Sequence, residues 1–388
     1  IALSARRIRD VIYVADESGM FAFWEKGNIA AQVTYCLAAN AGDVMLSACV
    51  RKFLQFPRWS IIDVGAKVEN RTIQKINATN ILVIGGGGLF LPDSNPNVIS
   101  GWQWAIRKEQ IDEIKVPIII FSVGFNYFKE QTVSDLFVES INYLVAQSTF
   151  VGLRNMGSIH AVRNILHDEK LKEKVVYQPC TTTLIRKLYS LEKRNDGNRV
   201  GINIAFDRRE RRYGKNEVVI LTQVAKAVCA IEKQGYQITY IAHSDEDLNF
   251  LEYLDMEHVS YRVKNLTNQL PGSVIRCYQK MDLVIGMRGH AQMIPFGVGC
   301  RIISLGTHDK MRWFLEDINA LDWYVDLNED IYDIEKRIMD IFYKIHVQNG
   351  ELTDKKLQDE QDILWKISCY NRERILGKII RRGEKDGT

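Results

Sequence analysis

Residues 282–290 read Asp-Leu-Val-Ile-Gly-Met-Arg-Gly-His, and the small-residue stretch Ala291–Gly299 follows them directly. The apolar run Leu283–Gly286 is short and bounded by polar residues, which is typical of a buried strand in a parallel sheet. The stretch after it predicts a helix. A strand that leads into a helix in this way is the repeating unit of an α/β fold.

The same alternation extends in both directions, from residue 32 to about residue 320, and it pauses at the polar stretch Lys187–Arg199. We interpret this stretch as a linker between two domains, because 388 residues exceed one ordinary core. The sequence predicts two Rossmann-like domains that face each other across a cleft. The predicted parts are an N-terminal extension with a hairpin (1–31), a first domain (32–190), a second domain (199–330) and C-terminal helices (331–388).

The strands of the first domain are predicted at Val33–Ala38, Ser60–Val64, Ile81–Ile84, Pro117–Val123, Phe150–Leu153 and Val175–Tyr177. Those of the second domain are predicted at Val200–Ala205, Gln237–Ala242, Ser260–Val263, Leu283–Gly286 and Ile302–Leu305. Helices are expected between them, including Asp43–Leu54, Thr132–Ser148, Ser158–Leu166, Glu217–Lys233, Asp245–Leu254 and Asp309–Ile318. In such folds ligands bind at the carboxyl ends of the strands.

The composition is typical of a soluble globular enzyme, with 46% hydrophobic and 26% charged residues. Seven cysteines, odd in number and without a CxxC pair, favour reduced thiols in a cytoplasmic protein and argue against structural zinc. The first residues show no apolar core followed by a small-residue cleavage site, so no secretory signal is predicted. A net charge of +3 lacks the basic surplus of a nucleic-acid-binding protein, and we expect no such partner.

The excess of positive charge is local and lies in residues 371–388. Two interpretations of this stretch stay open. It is either a solvated helix end or a basic helix, such as Arg372–Lys385, that contacts anionic lipid at the inner membrane face.

Four glycines, Gly85–Gly88, follow the apolar run Ile81–Ile84. Such a run lets the backbone turn sharply and bring its N–H groups to an anion or a sugar, and Gly86, Gly87 and Gly88 are candidates for this role. Close packing is the simpler alternative. The pattern is not GxGxxG opening into a helix, so a dinucleotide site is disfavoured.

Two further candidates lie after predicted strands of the first domain. In the string Asn40-Ala41-Gly42-Asp43, Asp43 is either a helix N-cap or a group that acts as a base or accepts a hydrogen bond from the sugar. Asn40 is a candidate for binding the sugar or a phosphate. Arg154 follows Phe150–Leu153, where its planar fork can hold a carboxylate or phosphate bidentately. A surface salt bridge is the alternative role for Arg154.

Arg288 and His290 form the strongest local signal, because a fixed cation stands beside the side chain that titrates near neutral pH. The helix after them would direct its positive N-terminal dipole to the same place. Lys310, after the strand Ile302–Leu305, is expected to add an ammonium group. Four arginines could extend the positive field, although two of them are expected to be solvated: Arg208, Arg209, Arg211 and Arg212.

Together these strings resemble the polysaccharide pyruvyl transferase family over residues 32–330. The matching elements are Asn40–Asp43, Gly85–Gly88, Arg154 with Ser158, Gly286–His290 and Asp309-Lys310. The resemblance implies a fold similar to B-type glycosyltransferases. It also implies transfer of pyruvate from phosphoenolpyruvate to hydroxyls of a sugar, often as a ketal, in a cell-surface polysaccharide or its lipid-linked precursor.

By the same resemblance, Arg154, Arg288, Gly289 and Lys310 would bind phosphoenolpyruvate, and His290 and Asp43 would be catalytic. Phosphoenolpyruvate is the donor substrate; no cofactor is expected, and no metal ligand set is evident. The chain departs from the family pattern at Gly289, where a larger apolar residue is usual, and at Gln178, where Asp usually precedes Pro179. The alternatives are a B-type glycosyltransferase that uses a nucleotide sugar and a catalytically silent sugar-binding member of an assembly complex.

Overall fold

A computed structural model of the chain describes residues 29–35, 40–91, 96–127, 131–192, 198–307 and 309–386. The chain divides into two compact units. The first consists of residues 1–37, 46–179 and 367–388, and the second consists of residues 38–45 and 180–366. The predicted hairpin at Val11–Ala15 and Met20–Trp24 lies outside the described residues.

The first unit contains a six-stranded parallel sheet, in which β1 lies between β2 and β3 and the order is β2-β1-β3-β4-β5-β6. Its strands are β1 (Ile29–Thr34), β2 (Arg58–Asp63), β3 (Ile81–Phe90), β4 (Ile118–Phe125), β5 (Phe150–Leu153) and β6 (Val175–Tyr177). The helices along this part of the chain are α1 (Ala41–Leu54), α2 (Asn70–Asn77), α3 (Lys108–Asp112), α4 (Asp135–Gln147), α5 (Met156–Ile165) and α6 (Glu169–Lys174).

The second unit contains another six-stranded parallel sheet, in which β7 lies between β10 and β8 and the order is β12-β11-β10-β7-β8-β9. Its strands are β7 (Arg199–Asn203), β8 (Gln237–Ala242), β9 (Tyr261–Asn265), β10 (Leu283–Gly286), β11 (Arg301–Gly306) and β12 (Tyr324–Asp326). The α-helices are α7 (Ile185–Leu188), α8 (Arg209–Tyr213), α9 (Glu217–Lys233), α10 (Leu251–Met256), α11 (Pro271–Tyr278), α12 (His290–Val298), α13 (Asp309–Asp317), α14 (Ile334–Phe342) and α15 (Gly350–Asp386).

Both sheets form because their central strands are apolar on both faces. Ile119 and Ile120 of β4, and Ile302 and Ile303 of β11, are successive residues that are all fully buried. In a parallel sheet with helices on both faces, alternate side chains of one strand are buried on opposite sides. Two parallel α/β sheets confirm the prediction of two Rossmann-like domains.

The glycine run is the main correction to the predicted elements. Gly85–Gly88 do not follow the strand as a turn but lie inside β3, which continues to Phe90. Gly86 and Gly87 have φ values of +107° and +144°, a backbone conformation that favours glycine, and the pairing of β3 with β4 shifts register after Gly87. The glycines therefore bend a strand without ending it.

Other differences are smaller. Strand β1 lies at Ile29–Thr34 and not at Val33–Ala38, and β12 was not predicted because its three residues carry too little signal. The predicted helix Asp245–Leu254 is a 3₁₀ helix (Asp245–Phe250) followed by α10.

The second unit also begins earlier than the predicted linker, at Cys180. A 3₁₀ helix, Thr181–Leu184, packs against α12 there, and a side chain at Gly297 would overlap the carbonyl oxygen of Thr182. Residues 193–197 of the polar stretch that suggested the linker lie outside the described residues. The boundary between the two units is therefore recognised by the packing of Thr181–Leu184 against α12 and not by a polar linker sequence.

Candidate functional site

In the second unit, the turn after β10 is held by the end of β7. The backbone N–H of Met287 donates to the carbonyl of Asn203 at 3.0 Å, and the N–H of Arg288 donates to the side-chain oxygen of Asn203 at 3.2 Å. Strands β7 and β10 are neighbours whose connections leave in opposite directions. This is the position at which open α/β sheets bind their ligands.

Arg288 is fixed by two carboxylates. Its Nε donates to Oδ2 of Asp247 at 2.8 Å and its Nη2 donates to Oδ1 at 2.6 Å, while its Nη1 lies 2.8 Å from Asp207. A third acceptor is Ser244 Oγ, 2.9 Å from Nη2. The hydrogen bonds use three of the five N–H groups of the guanidinium, those on Nε and Nη2, while Nη1 is held near Asp207 by charge alone.

Asp247 is fully buried and is the centre of this network. Besides Arg288, its carboxylate accepts from the backbone N–H of His243 at 3.0 Å and from the Asn203 amide at 3.3 Å. It thereby ties the loop after β8 to the ends of β7 and β10. Arg288 is consequently an anchored group, and a bidentate grip on phosphoenolpyruvate would require it to release one carboxylate.

Asp207 joins a second arginine to the network. Arg212 is buried, and its Nη2 lies 2.9 Å from Asp207 while its Nη1 donates to Thr307 at 3.3 Å. Burial favours the neutral form of Asp207, but Arg212 and then Arg288 outweigh this effect and hold the pKa of the carboxyl well below its usual range. Asp207 is therefore ionised at neutral pH.

The imidazole of His290 lies at the first residue of α12. Its Nε2 is 3.7 Å from the sulfur of the buried Cys180, which in turn lies 3.1 Å from Thr182 Oγ1. The backbone of Gly42 packs against the ring, and a Cβ at Gly42 would stand 2.7 Å from Cγ of His290. Only glycine at position 42 lets the chain and the imidazole come this close.

Asn40 and Asp43 lie beside this contact, because they flank Gly42 in the stretch 38–45 of the second unit. Asn40 Oδ1 accepts from the N–H of Gly42 at 2.8 Å, and the N–H of Ala41 donates to the carbonyl of His243 at 3.3 Å. The structure thus brings the predicted string Asn40–Asp43 to His290.

Lys310, on the first turn of α13, is the neighbour of Gly289. A Cβ at Gly289 would lie 3.4 Å from Cε of Lys310. Lys310 also helps to lower the pKa of Asp207. Arg288, Gly289, His290 and Lys310 therefore lie at one edge of the second sheet, as predicted from their positions after β10 and β11.

The remaining arginines of the candidate set have different roles. Arg209 forms a surface ion pair with Glu217, with Nε 3.1 Å from Oε2, and Arg208 has a φ of +56° and lies 3.6 Å from Asp207. Arg211 is exposed. Of the four, Arg212 is thus the one that is built into the buried network.

In the first unit, the side chain of Arg154 lies close to Gly88 of β3. Its guanidinium lies over Gly124, and a Cβ at Gly88 would stand 3.5 Å from its Nη2. Nη2 donates to Asn126 Oδ1 at 3.0 Å. Arg154 is only 5% exposed, so the alternative of a surface salt bridge does not describe it.

Gly85 and Gly86 are held by polar side chains of β1. Thr34 Oγ1 donates to the carbonyl of Gly86 at 3.2 Å, and Gln32 donates to that of Gly85 at 3.0 Å. A Cβ at Gly86 would lie 2.7 Å from Thr34 Oγ1. Position 86 of β3 therefore requires glycine for two reasons, the positive φ and the close approach of Thr34.

Sequence reasoning did not find Asp247, Asp207, Cys180 and Asn126. Asp247 had a visible signal, since it follows β8 by a few residues and belongs to a capping box with Ser244. That signal predicts the start of a helix, but it does not indicate that Asp247 binds Arg288, which lies 41 residues further along the chain. Whether Arg154 converges with Arg288 and His290 stays a prediction.

Within the described ranges, no group of three or more His, Cys, Asp or Glu side chains is arranged to hold a metal ion. Among the described helices, none combines the length and the apolar character needed to cross a bilayer. The helix α15 contains Arg372, which is buried and donates to Gln55 at 2.8 Å.

Solved structures of similar fold include epimerases and glycosyltransferases of low sequence identity. The UDP-GlcNAc 2-epimerase of Neisseria meningitidis, bound to UDP-GlcNAc, is 10% identical, with a TM-score of 0.54 over 92% of this chain and 100% of its own. A glycosyltransferase of Rickettsia africae is 11% identical, with a TM-score of 0.54 over 92% and 99%. The MnaA protein of S. aureus with UDP is 11% identical, with a TM-score of 0.52 over 85% and 90%. These likenesses support the B-type glycosyltransferase fold alone.

No protein of curated function matches the chain in sequence. The family model described as polysaccharide pyruvyl transferase matches residues 40–309, well over half of the chain. The match begins at Asn40, beside His290, and ends at Asp309, beside Lys310. The chain therefore belongs to the polysaccharide pyruvyl transferase family, which is a family of transferases.

Proposed function

We propose that the protein transfers pyruvate from phosphoenolpyruvate to two hydroxyls of a sugar, in a cell-surface polysaccharide or its lipid-linked precursor, and forms a cyclic ketal. The observation that carries the proposal is the position of His290. It lies at the N-terminus of α12 against the backbone of Gly42, two residues after Arg288, and Lys310 lies beside the intervening Gly289. A titratable imidazole beside cations suits a donor that carries both a carboxylate and a phosphate.

The reaction needs proton transfers that an imidazole is able to perform. Protonation of the enol methylene gives a methyl group and an oxocarbenium-like carbon, which the first sugar hydroxyl attacks. The C–O bond to phosphate then breaks, and the second hydroxyl closes the ketal. Of the two hydroxyl protons, one balances the proton taken up by the methylene and the other leaves with inorganic phosphate.

His290 is the proposed acid or base for these transfers, and Asp43 is the proposed second group because it lies one residue from the ring contact at Gly42. Lys310 and Nη1 of Arg288 are proposed to bind the donor. Arg154 is proposed as a further residue that binds the donor. In this assignment Asp247 and Asp207 position Arg288 and do not touch the substrate.

The test is calorimetric titration of the purified chain with phosphoenolpyruvate and, separately, with UDP-N-acetylglucosamine. We expect binding of phosphoenolpyruvate and none of the nucleotide sugar. The second arm matters because the fold neighbours include an epimerase solved with UDP-GlcNAc. Binding of the nucleotide sugar alone would replace the proposal by a glycosyltransferase.

Transfer itself is tested by phosphorus NMR, which resolves phosphoenolpyruvate from inorganic phosphate. Phosphate should appear only when a saccharide with two neighbouring free hydroxyls is added. Binding of phosphoenolpyruvate without phosphate release, over a panel of such saccharides, would favour the catalytically silent sugar-binding protein.

A further inference from the structure

The second unit has a cavity of about 820 Å³ that lies away from Arg288 and His290. Its floor is formed by residues of β7, β8 and β9, and its wall is formed by α11 and the turn after it. The floor includes Thr239 and Arg262, which are register partners on adjacent strands. Because β9 is the edge strand, the cavity is open to solvent along one side. We refer to it as the β9 groove.

The β9 groove is strongly basic. Five cationic side chains line it, and among the described residues that form its lining there is no Asp or Glu: Arg199, Arg262, Lys264, Arg276 and Lys280. Arg262 and Lys264 lie on the floor, and Arg276 and Lys280 lie on the wall. Cations on facing sides of one groove repel each other, and an anion placed between them removes this cost.

Among the described residues, no carboxylate forms an ion pair with four of these cations, Arg262, Lys264, Arg276 and Lys280. Over the described part of the chain, Arg262, Lys264 and Lys280 form no ion pair, and Arg276 donates within its own helix to Ser273 at 3.1 Å. All four side chains are exposed. Their charge is therefore available to a ligand.

The pKa of Cys277, at the base of the wall, agrees with this geometry. Burial raises the pKa of the thiol to about 11, and the positive charges of Lys264 and Lys280 act in the opposite direction. One thiol feels both ammonium groups because the floor and the wall face each other across a short distance. The two lysines thus act on the same small volume.

The shape of the β9 groove suits a linear ligand. It extends from Arg199 and Gln237, the first residues of β7 and β8, to Asn265 at the end of β9. Five residues of a strand span about 16 Å, which is the length of a short oligosaccharide. Amide and hydroxyl groups that can bond to sugar hydroxyls accompany the cations along this path: Gln237, Thr239, Asn265, Gln269 and Ser273.

The lining also separates two classes of polyanion. Sites for single-stranded nucleic acid combine cations with aromatic rings on which bases stack. No Phe, Tyr or Trp is found among the described residues that line the β9 groove. We propose that the β9 groove binds a segment of an anionic glycan, whose carboxylate or phosphate groups contact the cations and whose hydroxyls contact the amides.

The glycan site and the transfer site lie on the same domain. Asn265, at one end of the groove, donates to Asp245 at 2.8 Å, and Asp245 begins the 3₁₀ helix that carries Asp247, the partner of Arg288. The inference that the bound glycan is the acceptor of the transfer rests on the proposed function. The inference that the β9 groove binds a glycan does not rest on it.

The test is calorimetric titration of the full chain with tetragalacturonate, in the absence of phosphoenolpyruvate. The double variant Lys264→Gln/Arg276→Gln removes one cation from the floor and one from the wall. We expect its Kd to rise about 5- to 30-fold, because each exposed charge contact contributes modestly. Affinity of the wild type should fall as salt is raised.

The matched control is Lys226→Gln/Lys336→Gln, which changes the net charge equally on exposed positions of α9 and α14. Its Kd should equal that of the wild type. Equal loss in both double variants, or equal binding of the uncharged cellotetraose, would overturn the proposal. Tighter binding of a thymidine oligonucleotide with the same number of charges would assign the groove to nucleic acid.

Failure of this proposal and failure of the proposed function give different results. Loss of phosphoenolpyruvate binding together with retained tetragalacturonate binding would overturn only the transfer reaction. The reverse result would overturn only the β9 groove. The two titrations use the same protein and the same buffer, so they can be compared directly.

Discussion

Arg154 and Arg288 are both arginines that follow a strand of a parallel sheet, but their surroundings differ. Arg154, in the first unit, lies on the backbone of Gly124 and near Gly88, and the amide of Asn126 accepts from it. Arg288, in the second unit, lies between the carboxylates of Asp247 and Asp207. The same sequence signal, an arginine after a strand, therefore has two structural outcomes. Arg154 lies where glycines leave room for its guanidinium, and Arg288 is fixed by ion pairs.

The difference predicts how each region fails. A region that is built from close backbone approach is sensitive to an added methyl group and insensitive to pH. A region that is built from buried ion pairs is sensitive to the loss of one charge, because the charge left behind stays desolvated.

The largest effect is expected at His290, the titratable group beside the ion-pair region. His290→Gln keeps hydrogen-bonding ability but cannot exchange a proton near neutral pH. Turnover of phosphoenolpyruvate should fall about 10²–10⁴-fold, as is typical for the loss of a general acid or base. The dissociation constant for phosphoenolpyruvate should change much less. His167→Gln, at an exposed position of the first unit, is the control and should leave turnover unchanged.

A parallel loss of affinity and turnover in His290→Gln would instead make the imidazole a group that positions the donor. Near wild-type turnover would return His290 to a packing role against Gly42 and Cys180. Phosphorus NMR and calorimetry on the same samples distinguish these outcomes.

The next effect is on stability. Asp247→Ala leaves the buried Arg288 without its main partner, so the free energy of unfolding should fall by about 3–5 kcal/mol. Urea unfolding followed by circular dichroism measures this change. Glu217→Ala removes the partner of the half-exposed Arg209, and it should cost no more than about 1 kcal/mol. Similar costs in the two variants would mean that the buried network does not hold the second unit together.

The fold was predictable where local composition decides it. Phe150–Leu153 and Gln237–Ala242 have the predicted bounds because each is an apolar run between polar residues. Gly85–Gly88 were predicted as a turn because glycine carries no strand signal, although neighbours on both sides of β3 keep the run extended. Sheet pairing is a long-range effect that overrides local propensity.

The site was predictable in its positions and not in its pairings. Arg288, His290 and Lys310 lie at the expected strand ends, since the carboxyl ends of parallel strands share one edge. The partners of Arg288 were not foreseen, because Asp207 and Asp247 are distant in sequence and each resembles an ordinary loop residue. A carboxylate pair for an arginine becomes visible only when three separate strand ends are brought together.

A smaller effect concerns pH and the buried His243. Its Nε2 lies 2.6 Å from the hydroxyl of Tyr278. Burial lowers the pKa of His243 to about 4; the charge of Asp247 acts to raise this pKa, and the charge of Arg288 acts to lower it. The unfolded state, with a pKa of about 6.5, therefore binds more protons as the pH falls from 6.5 towards 4. Stability should be full above pH 6.5 and should fall by up to about 1.4 kcal/mol per pH unit within this window.

Urea unfolding at pH 7, 6 and 5 measures this slope. His243→Gln cannot take up the proton, so it should flatten the slope over the window, whereas His167→Gln on the surface should keep it. A slope that is unchanged in His243→Gln would assign the acid sensitivity to other groups.

The smallest effect is expected at Gly88, where the first unit places Arg154. A Cβ at Gly88 would overlap the amide of Asn126, and the amide would have to move from the position in which it accepts from Arg154. Because a side-chain amide can rotate away, Gly88→Ala should raise the Kd for phosphoenolpyruvate only about 3- to 10-fold. Asn126→Ala removes the overlapping group and the acceptor together. The double variant Gly88→Ala/Asn126→Ala should therefore bind like Asn126→Ala alone, since the methyl group then has nothing to displace. Additive losses measured by calorimetry would show that Gly88 acts on the donor directly, through the approach of its own backbone, and not through Arg154.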